Sequence, residues 1–194
     1  EDDPPDGMLP LAAPMVAELA TLVDLLVVER GSIFPVQATR PDFHEPTGFN
    51  IDVCREVRSA LPTTPVFLQG SVVDWGQAEW ALGDGVCDAV EMTRAQIADP
   101  DLVSKLSADA AHTIRPCIRC NQTCQVRDAR SPVVTCVGEP TSGRETEDPD
   151  WYAHTARARN VLVVGGGIAG LEAARVAAVR GHRVRLVERT HQLG

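Results

Sequence analysis

The stretch NVLVVGGGIAGLEAARVAAVRGHRVRLVE, residues 160–188, constrains the fold of this chain more than any other. A β-branched run leads straight into three consecutive glycines, then into a helical pattern, then into a second β run. Two strands joined through a helix lie parallel, with the helix crossing one face of the sheet. Gly165, Gly167 and Gly170 stand in the order G-x-G-x-x-G at the strand-to-helix turn. There the first glycine permits the tight turn, the second lets a pyrophosphate approach the backbone, and the third lets helix and strand pack closely. The helix start offers N–H groups and partial positive charge to the phosphates. Glu188 follows about 20 residues on, where a carboxylate accepts bonds from ribose hydroxyls and favours NAD or FAD over NADP. The bland alternative is a glycine-rich turn that binds nothing. Two strands do not complete a dinucleotide-binding domain, so the sequence is expected to be cut at this end, and at its start as well.

Four cysteines precede that unit. Cys117, Cys120, Cys124 and Cys136 are spaced C-x2-C-x3-C-x11-C. Tetrahedral zinc and a [4Fe–4S] cube both accept four thiolates. Structural zinc sites usually pair two knuckles, whereas here three thiols cluster and one is distant, which favours the cube. Zinc and free or bridged thiols stay open as alternatives. Cys54 lies on the apolar face of a helical pattern and Cys87 just precedes a strand, so both are expected to be small buried hydrophobes.

Charge and hydropathy exclude several classes. The 194 residues carry a formal net charge of -9, the opposite of a nucleic-acid footprint. The opening EDDPPDG lacks the basic and apolar regions of a signal peptide. Val161 to Val179 contains Glu172, Arg175 and four glycines, so no membrane span is expected. A cytoplasmic protein is the resulting expectation, and in that compartment clustered cysteines bind metal more often than they form disulfides.

The first half alternates strands and helices. DLLVVE (24–29), TPVFLQG (64–70) and CDAVEM (87–92) read as strands. NIDVCREVRSAL places Val53, Cys54, Val57, Ala60 and Leu61 on one helical face. Asp74 is the expected N-cap of the next helix, with Gln77 in the capping-box position and Gly85 past its end. Asp99 is the expected N-cap of a further helix with Pro100 at its first position. This alternation argues a parallel α/β arrangement. From Ile114 to about Arg159 the pattern gives way to a loop-rich segment. Gly70-Ser71 and Thr93-Arg94 follow the second and third strands. In a barrel both turns would meet at the C-terminal face, the usual phosphate site. Arg94 is then a phosphate clamp or else a solvated surface charge. His44, in the loop RPDFHEPTG, faces either a substrate or solvent.

Taken in order, FLQGSVVDWGQAEWALGDGVCDAVEMTRAQIADPDLVSKL, IRPCIRCNQTC, Cys136 and VLVVGGGIAGLEAA resemble the multidomain old yellow enzyme family. That group includes bacterial 2,4-dienoyl-CoA reductase and trimethylamine dehydrogenase. The resemblance implies the C-terminal portion of a flavin-binding (β/α)8 TIM barrel over residues 1–113. An iron–sulfur loop and linker would occupy 114–159, and the start of a Rossmann-like FAD/NAD(P)-binding domain 160–194. By the same resemblance Gly70, Ser71, Thr93 and Arg94 fall on FMN phosphate loops. The four clustered cysteines fall on cluster ligands, and Gly165, Gly167, Gly170 and Glu188 on a site for FAD, or for ADP or NAD(P)H. Two departures stand out: Thr93 replaces a glycine common in relatives, and Glu139-Pro140 replaces Asn-Pro. A non-glycine at 93 is tolerable only where positive φ is not required.

The resemblance implies an iron–sulfur flavoprotein oxidoreductase that moves electrons between NAD(P)H or FAD, the cluster and FMN to reduce an activated alkene such as an enoyl or dienoyl compound. An amine dehydrogenase of the same architecture is the alternative. A zinc-stapled, non-enzymatic dinucleotide-binding module is the contrasting class. The expected partners are a small-molecule substrate and NAD(P)H or an electron-transfer protein, with a homo-oligomer allowed in the intact enzyme. The barrel strands expected to carry catalytic residues would precede this sequence, so none is assigned. The chain by itself is expected to be inactive.

Overall fold

The computed structural model describes residues 13–31, 34, 36–125, 130 and 132–194; the opening EDDPPDG lies outside them. In chain order the elements are helix α1 (Ala13–Ala20), strand β1 (Leu26–Val28), α2 (Val36–Thr39), α3 (Ile51–Ala60), β2 (Val66–Gln69), α4 (Trp75–Gly83) and β3 (Ala89–Glu91). They continue with α5 (Thr93–Ala98), α6 (Leu102–Ser107), a 3₁₀ turn (Ala111–Thr113), β4 (Asn160–Val164), α7 (Ile168–Val179) and β5 (Arg183–Val187). The chain divides into two compact units, Glu1–Gly143 and Arg144–Gly194. The α/β class with parallel strands is as expected from the sequence.

In the first unit β1, β2 and β3 form a parallel sheet with β2 in the middle. Leu26 stands opposite Val66, and Phe67 opposite Ala89. β2 alternates: Val66 and Leu68 are fully buried, while Phe67 and Gln69 are half-buried. The face of α3 read from the sequence covers them, with Val53, Cys54, Val57 and Leu61 buried and Ala60 half-buried. Ala81 of α4, Val86 and Cys87 complete the core. Burying side chains of this size contributes about 1.5–3 kcal/mol each. Asp88 ties the sheet start to α3: its carboxylate accepts from the Val66 N–H (2.8 Å) and pairs with Arg58 Nε (2.9 Å). Burial pushes the Cys54 thiol up to about 12, with a smaller push from Cys87, as suits a core residue.

The local signals held at α4 and shifted at α6. Asp74 caps α4 by accepting from the Gln77 N–H at 2.9 Å. Gln77 does not close the reciprocal box; its amide instead lies 3.4 Å from Thr47 Oγ1. Asp99 is not the N-cap of α6, which begins at Leu102 after Asp101. Asp99 instead ends α5, and its buried carboxylate accepts from the N–H groups of Asp101 and Arg115 and from Lys105 Nζ. Three donors satisfy the carboxylate better than one cap bond would.

The second unit pairs β4 with β5 in parallel, Asn160 opposite Arg183 through Val164 opposite Val187. α7 crosses between them. The preceding segment docks on its C-terminal end, where the Thr155 N–H donates to the Arg180 carbonyl (2.8 Å) and Arg180 NH1 to the Trp151 carbonyl (2.5 Å). Among the described residues no helix is long and apolar enough to cross a membrane.

Candidate functional site

Parallel strands open their C-terminal ends at one edge, and a cavity of about 660 Å³ lies there. Gly70 and Ser71 line it after β2, and Thr93 and Arg94 after β3, so the two turns read from the sequence border one space. Asn50, 1% exposed, organises the first turn. Its side-chain amide donates to the Gln69 carbonyl (2.5 Å) and its backbone N–H to the Gly70 carbonyl (3.2 Å). The Ser71 hydroxyl is buried and has no hydrogen-bond partner among the described residues. Thr93 opens α5, with its hydroxyl bonded to Glu91, and it is not among the non-glycine residues of positive φ. The threonine therefore meets the condition set for replacing glycine. Glu29 also lines this cavity; burial, then the neighbouring Glu91 charge, raises its pKa.

Arg94 does not simply point into solvent. Its NH1 donates to the Pro41 carbonyl (2.8 Å) and to Asn121 Oδ1 (2.6 Å). It also borders a second, small hollow, whose walls include all four clustered cysteines. Apolar Ile97, Pro116, Ile118 and Val137 close that hollow. Two sulfurs already accept backbone N–H bonds, Cys117 from Arg119 (3.4 Å) and Cys136 from Gly138 (3.3 Å). Burial raises the Cys117 and Cys124 thiols, and the positive charge of Arg94 pulls both the other way. Among the described residues no three His, Cys, Asp or Glu side chains converge closely enough to hold one metal ion. The four cysteines share the lining of one hollow.

Three sets of contacts hold this loop, and the sequence reading missed them. Arg119 and Asn121, on either side of Cys120, both have positive φ (55° and 49°). Arg119 NH1 donates to the carbonyls of Asp42 (3.2 Å) and Glu45 (2.6 Å), and Asn121 Nδ2 to that of Arg40 (2.6 Å). Thr123 and Thr135, next to Cys124 and Cys136, exchange two bonds of 3.1 and 3.0 Å. Arg115 Nε pairs with buried Glu139 (3.0 Å) while its NH1 donates to the Gly138 carbonyl. The other Glu139 oxygen accepts from the Thr141 N–H (3.0 Å) and hydroxyl (2.6 Å), so Glu139-Pro140 carries polar contacts of its own. No local signal marks Arg115, Arg119 or Asn121, because their partners are distant in sequence. His44 pairs with Asp42 (2.9 Å), is 74% exposed, and borders a third cavity beside Cys120.

In the second unit the glycine turn has the geometry of its motif. Gly165 has φ 102°. A Cβ on Gly170 would collide with the Gly165 carbonyl oxygen, whereas one on Gly165 or Gly167 would meet open space. Closeness is needed at the third glycine, and approach from outside is free at the first two. The Glu188 carboxylate folds back on this turn, accepting from the Gly166 N–H (2.7 Å) and the Thr190 N–H (2.9 Å). Those bonds, that of Gly166 foremost, lower its pKa and keep it ionised.

Residues 160–194 match the family described as FAD dependent oxidoreductase. The bilirubin reductase of Mediterraneibacter gnavus is 37% identical over 150 residues, covering 77% of this chain and 23% of that protein. The multifunctional alkene reductase/demethylase OYE of Caballeronia cordobensis is 38% identical over 130 residues, covering 67% and 18%. Among solved structures, 2-naphthoyl-CoA reductase bound to 2-naphthoyl-CoA matches with a TM-score of 0.84 and 28% identity, over 94% of this chain and 28% of that one. The homologues are thus flavin-dependent oxidoreductases. More narrowly, they are old yellow enzyme-like reductases, of which this chain spans less than a quarter of the length in the two curated relatives named.

Proposed function

We propose that the chain is part of an iron–sulfur flavoprotein oxidoreductase, in which residues 1–113 belong to the C-terminal portion of a flavin-binding (β/α)8 barrel. Residues 114–159 carry the cluster loop and linker, and residues 160–194 begin a Rossmann-like FAD/NAD(P)-binding domain. The observation that carries this reading is the pair of cavities sharing Arg94: four thiols line one, and the Gly70-Ser71 and Thr93-Arg94 turns line the other.

The residues present fit the groups implied. Ser71 offers a buried, unpartnered hydroxyl at the strand edge, and Arg94 a positive charge, as an FMN phosphate requires. Four thiols around a hollow suit a [4Fe–4S] cube; zinc would need its four sulfurs about 2.3 Å from one point. The N–H groups of Arg119 and Gly138 already point at the Cys117 and Cys136 sulfurs, as ligand sulfurs of a cluster require. Gly165 and Gly167 leave the backbone open to a pyrophosphate at the start of α7, with Glu188 beside them for ribose of FAD, ADP or NAD(P)H. When bound, the flavins would supply hydride chemistry and the cluster single-electron transfer. The protein's part is to bind, orient and tune them.

The substrate class proposed is an activated alkene, such as an enoyl or dienoyl compound, with NAD(P)H or an electron-transfer protein as redox partner. The word demethylase in the Caballeronia relative's name favours keeping amine oxidation as the second reading. The test is reconstitution of purified protein with iron, sulfide, FMN and FAD under anaerobic conditions. Roughly four iron and four sulfide per chain, with visible absorption that bleaches on reduction, is the expected result. In the intact enzyme that contains this chain, NADH-dependent loss of an enoate absorbance separates the alkene from the amine reading. A colourless protein holding one zinc would refute the cluster and support the zinc-stapled module.

A further inference from the structure

We propose that Asn121 is a positioning residue that couples the two cofactor sites by holding the Arg94 guanidinium in the wall between them. The inference rests on the reading above of one cavity as a phosphate site and the other as a cluster site.

Asn121 and Arg94 each border both the cysteine-lined hollow and the strand-end cavity. The Asn121 amide is fixed at both ends, its Nδ2 donating to the Arg40 carbonyl and its Oδ1 accepting from Arg94 NH1, each at 2.6 Å. The first bond sets which way the amide faces, so the oxygen has to face Arg94. Asn121 directly follows Cys120, and its φ of 49° belongs to the shape of the cysteine loop. The position of this side chain is therefore tied to that loop.

The electrostatic consequence follows from the signs. Both expected occupants are anionic: a phosphate on one side, and four thiolates around iron and sulfide on the other. The Arg94 guanidinium lies in the lining common to both cavities. Positive charge near a cluster favours its reduced, more negative form and raises its reduction potential. Without Asn121 the guanidinium keeps only the neutral Pro41 carbonyl as partner, and the flexible arginine stem lets it turn toward the phosphate, where a charge-assisted bond is stronger. Asn121 thus retains positive charge at the cluster against the pull of the flavin phosphate. By linkage, phosphate occupancy and cluster reduction then influence each other through this one residue.

The test is a redox titration of the reconstituted protein, followed by the electron spin resonance of the reduced cluster, with FMN affinity measured alongside. Asn121→Gly is the variant of choice, since glycine adopts positive φ freely and leaves the loop unstrained. It is expected to keep its iron and sulfide, to shift the cluster potential negative, and to bind FMN as tightly as wild type or more so. Arg94→Met is expected to shift the potential the same way and weaken FMN at least about tenfold. The double variant is expected to be no more negative than Arg94→Met alone, because Asn121 acts only through Arg94. An unchanged potential in Asn121→Gly with a full cluster, or additive shifts in the double variant, would overturn the proposal. A wild-type protein without iron–sulfur absorption would overturn the functional reading itself and this inference with it, before any variant is compared.

Discussion

Replacing Glu139 by Ala removes one half of the clasp that closes the cysteine loop. The Glu139 side chain is 8% exposed and its partner Arg115 22%, so neither charge is well solvated. Removing one member of a buried pair costs about 3–5 kcal/mol, because the other is left uncompensated. Arg115 retains its bond to the Gly138 carbonyl and some contact with water, which places the cost near the lower limit, about 3 kcal/mol. Thr141 is half-buried and can turn to solvent, so its two lost bonds add little. At roughly 2–4 °C per kcal/mol for a unit of this size, the melting temperature falls by about 6–12 °C. Thermal unfolding followed by circular dichroism reads this directly. The double variant Arg115→Met with Glu139→Leu is expected to recover most of the loss, since it leaves no buried charge unpaired. A single variant melting within about 2 °C of wild type would show that the pair is solvated in practice. A double variant as unstable as the single one would show that packing, and not charge, carries the effect.

Serine in place of Cys117, Cys120, Cys124 or Cys136 is expected to strip or destabilise the cluster, while Cys54→Ala and Cys87→Ala leave its absorption spectrum intact; equal loss in all six refutes the ligand assignment. In the intact enzyme, Arg94→Ala removes a charge-assisted contact worth about 1.5–3 kcal/mol, so FMN affinity is expected to fall roughly ten- to hundredfold, read by fluorescence titration. Gly170→Ala forces a methyl group onto the Gly165 carbonyl and is expected to abolish dinucleotide binding and loosen the second unit, read by hydrogen exchange of β4. At Asp99 burial pushes the pKa up, but Lys105 and the N–H of Arg115 outweigh it, and the net shift is downward. Its stabilisation is therefore complete above its unfolded value, about pH 4, and lost as pH falls through the lower folded value. Asp99→Asn is expected to flatten that acid limb in denaturant titrations, and an unaltered limb would refute it.

What was legible in the sequence had a local cause. The β-branched runs bounded by Pro and Gly gave the strands, and three- and four-residue spacing gave the buried face of α3. Asp74 was readable as a cap because its partner is the N–H three residues on. Asp99 was misread by the same rule, since its carboxylate answers to Lys105 and Arg115 instead. The two apolar cysteines were separable from the four clustered ones because helix position and spacing are both local features. Asn50, Arg115, Asn121 and Glu139 were invisible for the opposite reason. Asn121 reaches Arg40 across 81 residues, and Arg94 reaches Pro41 across 53. Neither span leaves a pattern in a single sequence.

Those long spans also explain why the two cavities adjoin. Only three non-glycine residues among those described have positive φ, and two of them flank Cys120. Left-handed geometry costs a non-glycine residue about 1–2 kcal/mol and persists where surrounding contacts over-determine it. Here the contacts come from carbonyls of Arg40, Asp42 and Glu45, in the loop that leaves the sheet edge after α2. Arg40 lines the large cavity, and the Pro41 carbonyl beside it accepts from Arg94. One loop at the strand ends therefore shapes the cavity wall and imposes the turn on which Cys120 sits. Had the cysteine segment been a self-contained module, its strained residues would have been held by bonds within the module. Because they are held by the strand-end loop, a change in that loop reaches both sites, and the cysteine hollow and the strand-end cavity have to be treated as parts of one structure.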